Sequence, residues 1–517
     1  MKRMYCLIVL VTVALNMQAQ QKIFNILQFG AKGDSITDNT MALQNAIDEA
    51  AKVKNGKVIV PAGKFVIGAI HLKSGVELQL QKDAFLLGST HRQDYGKGNA
   101  EALITAKGQS NIAITGKGTI DGRGYEVVKD LLPQLANGTF EDKQWRVKMP
   151  EEKNRPKLIT FIECNDIKIT GITIKNAASW VQEYRRCNKL LIDRVTVLSN
   201  EYWNNDGIDI NNSKNVNITN CNINAADDAI CLKSEGEITD SCENIYIADC
   251  KLRSSANAFK IGTGSRGGFR NIKVRNLDIY DTYRSAIAIE TVDGAFLEDI
   301  DVKNVKAINT GSAIFIRLGH RNKDDQYSTA KNIHIKNVYV QVPEGKPDKG
   351  YNMEGPLLKY PPTYKPISGM IQSVSPWNHS GKDSTAIIYR HNVFPSSITG
   401  LPGHVVENVS IENVEIDYSS IADRSVNYMQ LDSFHIITEA EKDYPEFSMF
   451  GELPVWGFYV RHVNGLTMKN ILVKMNGKEF RNAFLFNDVK KLQLTKVAAA
   501  GNTVKPGIFY HDVEPVQ

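Results

Sequence analysis

The sequence predicts an all-β protein that winds as a right-handed parallel β-helix, and three observations support this fold. Short stretches rich in Val, Ile and Thr recur from about residue 110 onward, as in KNVNITNCNINAA and RNIKVRNLDIYDT, and their alternation of apolar and polar residues is typical of strands. Corners of Asn, Asp or Gly separate the stretches, and Asn tolerates the left-handed backbone of a sharp corner. The repeat is about 21 to 30 residues long, as in solenoids. Leucine-rich repeats have similar lengths, but their spaced leucines are missing.

The N-terminal stretch MKRMYCLIVLVTVALNMQAQQ is typical of a secretory signal peptide. Lys2 and Arg3 precede an apolar run at residues 5–15, and Ala19 supplies a small residue near the expected cleavage site. The run is too short to span a bilayer. We therefore expect residues 1–20 to be removed and the protein to be exported to the periplasm or the medium, with no membrane partner.

An N-terminal cap is expected over about residues 21–75. Within it, residues 38–53 (DNTMALQNAIDEAAKV) are amphipathic and rich in helix-forming residues, which predicts a helix. A helix at this position would close the open end of the cylinder. We expect the continuous β-helix to run from residue 112 to residue 497.

A second region that departs from the repeats is predicted to be a loop insert at about residues 345–402. It is rich in Pro, Tyr, Ser and Gly and contains EGPLLKYPPTYKPISG. Tyr360, Tyr364 and Trp377 favour a packed or ligand-facing loop over a disordered one. Repeats resume after the insert, so we expect residues 21–517 to form a single domain and a monomer.

Charge and cysteine content exclude several classes of function. The net charge is +5, from 62 Lys and Arg against 57 Asp and Glu, and no long basic run indicates a nucleic-acid partner. Six cysteines remain beyond the predicted signal peptide, and they show no metal-ligand spacing with histidines. Disulfides are permitted in an exported protein, but stacked thiols in the core are the simpler interpretation. We predict no metal and no cofactor.

Three carboxylates within NNDGIDINNSKNVNITNCNINAADDAICLKS are the candidate catalytic residues. Asp206 and Asp227 are 21 residues apart, about one repeat, and neighbouring rungs of a β-helix lie about 4.8 Å apart. Asp206, Asp227 and Asp228 should therefore meet on one outward face. Their repulsion raises the pKa of at least one, as a general acid requires, and a second carboxylate can activate water for glycoside hydrolysis. The structural alternatives are an aspartate ladder at solvated corners and a calcium site. Asp209, in the same stretch, also fits an ordinary corner position.

The chain resembles glycoside hydrolase family 28, the polygalacturonase family, whose hallmarks are Asn-Thr-Asp, Asp-Asp, Gly-His-Gly and Arg-Ile-Lys on successive coils. NNDGIDI matches the first hallmark with Asn204 and Asp206, although Asn205 stands where Thr is usual. AADDAICLKS matches the second with Asp227 and Asp228, and FNILQFGAKGDSITDNTMALQNAIDEAA resembles the cap of pectin-degrading β-helices. The resemblance implies a pectin-lyase-like solenoid and inversion of configuration. It also implies that Asp227 is the general acid and that Asp206 and Asp228 hold and activate water.

The third and fourth hallmarks are missing. Asn257, within Ala-Asn-Ala at residues 256–258, occupies the position of the family's histidine, and it cannot carry a proton at neutral pH. Ala288 and Glu290 replace the Arg and Lys that grip a galacturonate carboxylate in the family. We therefore expect unsubstituted polygalacturonan to be a poorer substrate than a branched or mixed pectic glycan.

Other polar and aromatic residues near these motifs are candidates for binding sugar, although each one also fits an ordinary coil position. The predicted substrate-binding residues are Asn204, Asn257, Lys260, Arg266, Arg317 and Trp180.

The resulting hypothesis is an exported inverting glycosidase that acts on pectic or related plant polysaccharide, with the insert and the missing cations favouring a pocket at chain ends. Three alternatives stay open. A polysaccharide lyase would need a calcium site and a base that abstracts a proton next to a carboxylate. A non-catalytic carbohydrate-binding β-helix would keep the groove without cleaving bonds. A purely structural adhesin would not need three clustered acids.

Overall fold

The computed structural model describes most of the chain beyond the predicted signal peptide. The described residues are 22–143, 145, 149–200, 202–344, 392–424, 429–501 and 505–515, with the backbone of residues 371–374 and 385–388. The predicted signal peptide lies outside them, as do Tyr360, Tyr364 and Trp377 of the predicted insert.

The described strands wind into a right-handed parallel β-helix, which confirms the predicted fold class. In chain order, the strands are β1 Ile23–Asn25, β2 Asp34–Asp38, β3 Gly56–Val60, β4 Gly63–Ile67, β5 Ile70–His71, β6 Val76–Leu80, β7 Ala84–Gly88, β8 Ile104–Lys107, β9 Ser110–Gly116, β10 Thr119–Asp121, β11 Ile159–Ile162, β12 Asn165–Thr170, β13 Thr173–Lys175, β14 Gln182–Arg185, β15 Asn188–Asp193, β16 Thr196–Ser199, β17 Ile208–Asn211, β18 Lys214–Thr219, β19 Asn222–Ala225, β20 Ile230–Ser234, β21 Ser241–Ser254, β22 Phe259–Ser265, β23 Gly268–Thr291, β24 Phe296–Leu318, β25 Thr329–Val342, β26 Ile371–Val374, β27 Thr385–Ile388, β28 Ser396–Thr399, β29 Val406–Ile421, β30 Val455–Lys478, β31 Asn482–Gly501 and β32 Lys505–Pro515. Strands β26 and β27 pair with each other in antiparallel fashion, and the others form one sheet.

Helices are few and short. The α-helices are α1 Thr40–Ala50 and α2 Gly124–Ala136, and the 3₁₀ turns are Ile26–Phe29, Arg92–Tyr95, Glu152–Asn154 and Leu431–Ile436. Among the described residues, no helix combines the length and apolar character needed to cross a bilayer.

Helix α1 falls within the predicted residues 38–53, and its Leu43, Ala46 and Ile47 are buried. The parallel pairing, however, already begins at β1, where Ile23 lies opposite Lys57, and it continues to β32. The ladder is therefore longer at both ends than the predicted span of 112–497, because the first coils lie within the segment expected to act only as a cap.

Helix α2 was not expected from the sequence, which predicts strands and corners after residue 110. It lies between β10 and β11, where the chain leaves the cylinder. Val127, Val128, Leu131 and Leu135 are buried, and this spacing gives one apolar helical face. A helix that lies outside the coils does not pair with an equivalent segment one repeat away, so the strand periodicity of the sequence does not predict it.

The end of the predicted insert belongs to the cylinder. Strand β28 pairs in parallel with Phe315–Arg317 of β24 and with Phe458–Arg461 of β30. It therefore supplies the rung between these two strands. Of the other insert residues, the structure describes 392–395, 400–402 and the backbone of β26 and β27, and the rest lie outside the described part of the chain.

Columns of identical or similar apolar residues form the core. Ile210, Leu232, Ile261, Ile289 and Ile316 follow one another in register on successive coils, and all are buried. The six cysteines of the described chain are buried and free, as predicted for stacked core thiols. The apolar column from Ile210 to Ile316 fixes the positions of the outward-facing residues next to it in the chain, and these residues form the site.

Candidate active site

The three candidate aspartates converge at one corner of the β-helix. Asp206 lies two residues before β17, and Asp227 and Asp228 lie three and two residues before β20, which pairs with β17 through Ile208 and Ile230. One carboxylate oxygen from each aspartate lies within 4.8 Å of the others. The repeat spacing therefore predicted their meeting correctly, because parallel pairing in register carries equivalent corners onto each other.

Asp227 is the most accessible of the three. It is half-buried, whereas Asp206 is 4% and Asp228 is 3% exposed. Its Oδ1 accepts the backbone N–H of Asp228 at 2.9 Å, and Asn204 Nδ2 lies 3.5 Å from its Oδ2. Asp227 is therefore the aspartate whose carboxyl a bound sugar can contact most readily.

Asp228 is held ionised by its neighbours. Its Oδ1 accepts the backbone N–H and the side-chain amide of Asn257, at 3.0 and 2.9 Å, and its Oδ2 lies 3.1 Å from Lys260 Nζ. Burial by itself would raise the pKa of Asp228, but Lys260, Lys233, Arg284 and the Asn257 hydrogen bond together hold it below its ordinary value. Asn257, in the position of the family's histidine, thus orients a carboxylate that can accept a proton.

Lys233 joins two buried carboxylates. Its ammonium lies 3.1 Å from Asp206 Oδ2 and also contacts Asp209 Oδ1. Burial raises the pKa of Asp206 and of Asp209, with Lys233 opposing the effect. Burial alone would lower the pKa of Lys233, yet the two carboxylates raise it, so the ammonium stays charged.

The sequence had given Asp209 only a corner role and had not singled out Lys233. Asp209 is fully buried, so it is not a solvated corner residue. Lys233 lies in register with Asn211, one repeat away, which places it beside Asp209. A lysine 24 residues after an aspartate, about one repeat, was the sequence signal that could have found the pair.

Lys260 lies on the coil after Asp228, and its ammonium is surrounded by three polar groups. Besides Asp228, its Nζ lies 3.9 Å from Glu290 Oε2 and 3.1 Å from the Tyr444 hydroxyl. Thr263 Oγ1 donates to Glu290 Oε2 at 3.2 Å. Burial raises the pKa of Glu290 to about 7, and Lys260 limits the rise. The sequence did not identify Tyr444, which comes from a distant segment.

Asn204 is positioned by Arg155, which lies between α2 and β11. Arg155 donates at 2.9 Å to the carbonyls of Ala178 and Trp203 and at 2.7 Å to Asn204 Oδ1. Asn204 itself has a positive φ of 54°, a left-handed conformation that Asn tolerates. This fixes its amide toward Asp227.

A covering segment, residues 429–454, lies beside the site and connects the part of the chain after β29 to β30. Its buried apolar residues are Met429, Phe434, Ile437, Phe447, Met449, Phe450 and Leu453. They pack on Ala288, Phe315, Tyr459 and Leu485, which follow Lys260 on the outward face of successive coils. The covering segment therefore occupies the outer surface of the coils that come after the aspartates.

The remaining predicted sugar-binding residues are distributed differently. Trp180 is half-buried at the site, with Lys233 Nζ 4.2 Å from its ring centroid. Arg266 pairs with Asp324 at 2.7 Å. Arg317 is 1% exposed and donates to the carbonyl of Glu439 at 2.6 Å, so it supports the covering segment. That these three side chains bind sugar stays a prediction.

Solved structures with the same fold include enzymes and an adhesin. An exopolygalacturonase from Thermotoga maritima superimposes with a TM-score of 0.59 and 22% identity, over 89% of this chain and 93% of that one. The surface adhesin PfbA of Streptococcus pneumoniae gives a TM-score of 0.52 and 15% identity, over 88% of this chain and 91% of that one. At these identities the likeness establishes the fold alone.

Sequence relatives are more specific. The chain is 26% identical over 397 residues to an exo-poly-alpha-D-galacturonosidase from Dickeya chrysanthemi, covering 65% of this chain and 64% of that protein. It is 26% identical over 337 residues to a probable polygalacturonase from Vitis vinifera, covering 61% and 59%. Both matches span less than two thirds of the relative's length. The family model described as Glycosyl hydrolases family 28 matches residues 51–351, more than half of the chain, and the chain therefore belongs to that family.

Proposed function

We propose that this protein is an exported glycosidase that hydrolyses a glycosidic bond in pectic or related plant polysaccharide. The observation that carries the proposal is the convergence of Asp206, Asp227 and Asp228 within 4.8 Å, in a chain of family 28. The polygalacturonase names of its relatives support a pectic substrate. The signal-like residues 1–20 support export.

The chemistry divides among the three carboxyl groups. Asp227 donates its proton to the glycosidic oxygen as the bond from that oxygen to the anomeric carbon breaks. Water attacks the anomeric carbon, and Asp228, whose pKa is held low, accepts the proton that water loses. Asp206 Oδ1 is buried and has no hydrogen-bond partner among the described residues, so it offers an acceptor that orients the water.

Two lysines favour hydrolysis over calcium-dependent elimination. Calcium would have to bind between carboxylates that Lys233 and Lys260 already neutralise at 3.1 Å, and an ammonium repels a divalent cation. We expect a chelator to leave the activity unchanged. We also expect no ultraviolet absorbance from an unsaturated product, and appearance of that absorbance would favour the lyase.

The stereochemical course has a direct test. Family resemblance implies inversion, whereas carboxyl groups of inverting enzymes usually lie about 6.5–9.5 Å apart, and those of retaining enzymes about 5–5.5 Å apart. The oxygens here approach within 4.8 Å. We expect inversion, with a water held among the three aspartates, and proton NMR of the first-formed anomer distinguishes the two outcomes.

Substitution of each aspartate tests the roles on a panel of defined pectic oligosaccharides. Asp227→Asn should fold normally, because the amide is nearly isosteric, and should lose about 10²–10⁴-fold activity. The loss should shrink for aryl glycosides with good leaving groups, which need little protonation. Asp206→Asn and Asp228→Asn should impair both substrate types, since both require an activated water.

A matched control is Asp249→Asn, which makes the same chemical change at an exposed corner, where Asp249 accepts a hydrogen bond from Asn276. It should keep full activity. Full activity in Asp227→Asn, with an unchanged melting temperature, would contradict the role of Asp227 as the proton donor. Absence of cleavage of every oligosaccharide by the parent protein would instead favour a non-catalytic carbohydrate-binding protein.

A further inference from the structure

The two lysines nearest the aspartates are fully engaged by the protein's own acids. Lys260 contacts Asp228 and Glu290, and Lys233 contacts Asp206 and Asp209. Both ammonium groups are almost completely buried. Together with Asp227, the carboxyl groups of this site outnumber its ammonium groups, so its interior has no surplus of positive charge.

The neighbouring arginines are paired as well. Arg284 lies 3.7 Å from Glu446, and Arg321 lies 2.7 Å from Asp293. Among the described residues around the aspartates, the cationic side chains thus already meet protein acceptors. A carboxylate on a bound sugar would have to displace one of these acceptors, in a site that is already rich in acids.

Glu290 occupies the place that such a carboxylate would take at Lys260. It lies on the next coil, 3.9 Å from the ammonium, with 1% of its surface exposed, and it accepts a hydrogen bond from Thr263. Ala288, two residues earlier, lies in register with Lys260 and carries no polar group. The coil therefore satisfies Lys260 from within the protein.

Tyr444 covers Lys260 on the cleft side. Its hydroxyl bonds the ammonium at 3.1 Å, its ring centroid lies 5.3 Å from Nζ, and 43% of the residue is exposed. An exposed aromatic ring offers an apolar face on which the C–H face of a sugar can stack, while its hydroxyl remains polar. This surface suits a neutral sugar ring.

We propose that the sugar seated against Tyr444 is neutral, and that Glu290 excludes a uronic acid there by pairing with Lys260 from the next coil. The inference rests on the proposed glycosidase function and specifies its substrate: a mixed glycan in which at least one sugar at the cleaved bond carries no carboxylate.

The first test maps the cleaved bond. The parent protein is incubated with a mixed pectic glycan and with polygalacturonan, and mass spectrometry identifies the sugars at both new ends. We expect at least one neutral sugar at the cleaved bond and cleavage of polygalacturonan at least about tenfold slower. Equally fast cleavage between two uronic acids would overturn the inference while leaving the proposed glycosidase intact. Absence of cleavage of every glycan would overturn both.

The second test releases Lys260. At about pH 8, where Glu290 with its pKa of about 7 is ionised, Glu290→Gln removes the carboxylate charge with little change of shape. The ratio of the rate on polygalacturonan to the rate on the mixed glycan should therefore rise about tenfold at that pH. Glu479→Gln is the matched control, because Glu479 is also buried but pairs with Arg481 outside the covering segment; its ratio should equal that of the parent. An unchanged ratio in a folded Glu290→Gln protein would show that Glu290 does not set the preference.

Discussion

Lys233 shows how strongly one residue can determine the charge balance of this site. It is the shared counter-ion of Asp206 and Asp209 and is buried with both. Removing one partner of a buried charge cluster leaves uncompensated charge, which costs about 3–5 kcal/mol.

We therefore expect Lys233→Met to lower the free energy of unfolding by about 3–5 kcal/mol. Asp209→Asn should cost less, because Lys233 keeps its contact with Asp206 and the amide can still accept a hydrogen bond. Urea denaturation of both variants measures the difference. Equal loss in the two would mean that packing, and not charge, dominates at this position.

Glu290 gives the stability of the protein a predictable dependence on pH. Burial raises its pKa from 4.5 to about 7, so the native state binds this proton more tightly than the unfolded chain. The resulting stability is fully present below about pH 4.5 and is lost as the pH rises to about 7.

The advantage in unfolding free energy of the parent over Glu290→Gln should therefore fall by roughly 3 kcal/mol between these two pH values. Denaturation of both proteins at several pH values measures it, since contributions of the other groups cancel in the difference. A difference that is constant with pH would show that Glu290 ionises normally in the native state.

At the scale of elements, the covering segment determines the shape of the cleft. It buries Phe315, Tyr459 and Leu485 on the coils beyond Lys260 and brings Tyr444 to the site. A polysaccharide lying along the outward face cannot continue across these covered coils. The predicted pocket at chain ends thus gains support from residues 429–454, whereas the sequence prediction rested on the insert at 345–402 and on the missing cations.

We expect attack at chain ends. Digestion should release short products from the start, while the viscosity of the polysaccharide falls slowly relative to the new reducing ends. Phe447→Ala, which removes a buried ring of the covering segment, should raise KM more than it lowers kcat, because it loosens the Tyr444 wall and leaves the aspartates in place. A rapid early fall in viscosity with the parent protein would contradict chain-end attack.

At the scale of the whole molecule, asparagine ladders connect the coils. In one ladder, each side-chain amide donates to the residue one coil earlier at 2.8–3.0 Å. Its members are Asp249, Asn276, Asn304, Asn337, Asn413 and Asn470. All six have positive φ, so each corner uses both the hydrogen bond and the left-handed conformation that Asn tolerates.

Asn337→Ala should lower the free energy of unfolding by about 2 kcal/mol, since it removes two side-chain hydrogen bonds and places a Cβ residue without a compensating bond at a φ of 58°. Asn337→Gly should cost less, because glycine adopts this φ freely. Thermal unfolding of the two variants checks the order. A more stable Ala than Gly variant would show that the backbone conformation contributes little.

The sequence by itself determined the β-helix, the helix α1, the free core thiols and the meeting of Asp206, Asp227 and Asp228. These features depend on local alternation and on a repeat length that recurs, and parallel pairing converts equal spacing along the chain into contact in space. Tertiary structure alone decided the counter-ions and the walls of the site. Tyr444 meets Lys260 from 184 residues away, and no repeat relates them. Burial, which a sequence does not report for a single polar residue, turned Asp209 and Glu290 from expected surface groups into interior partners of Lys233 and Lys260.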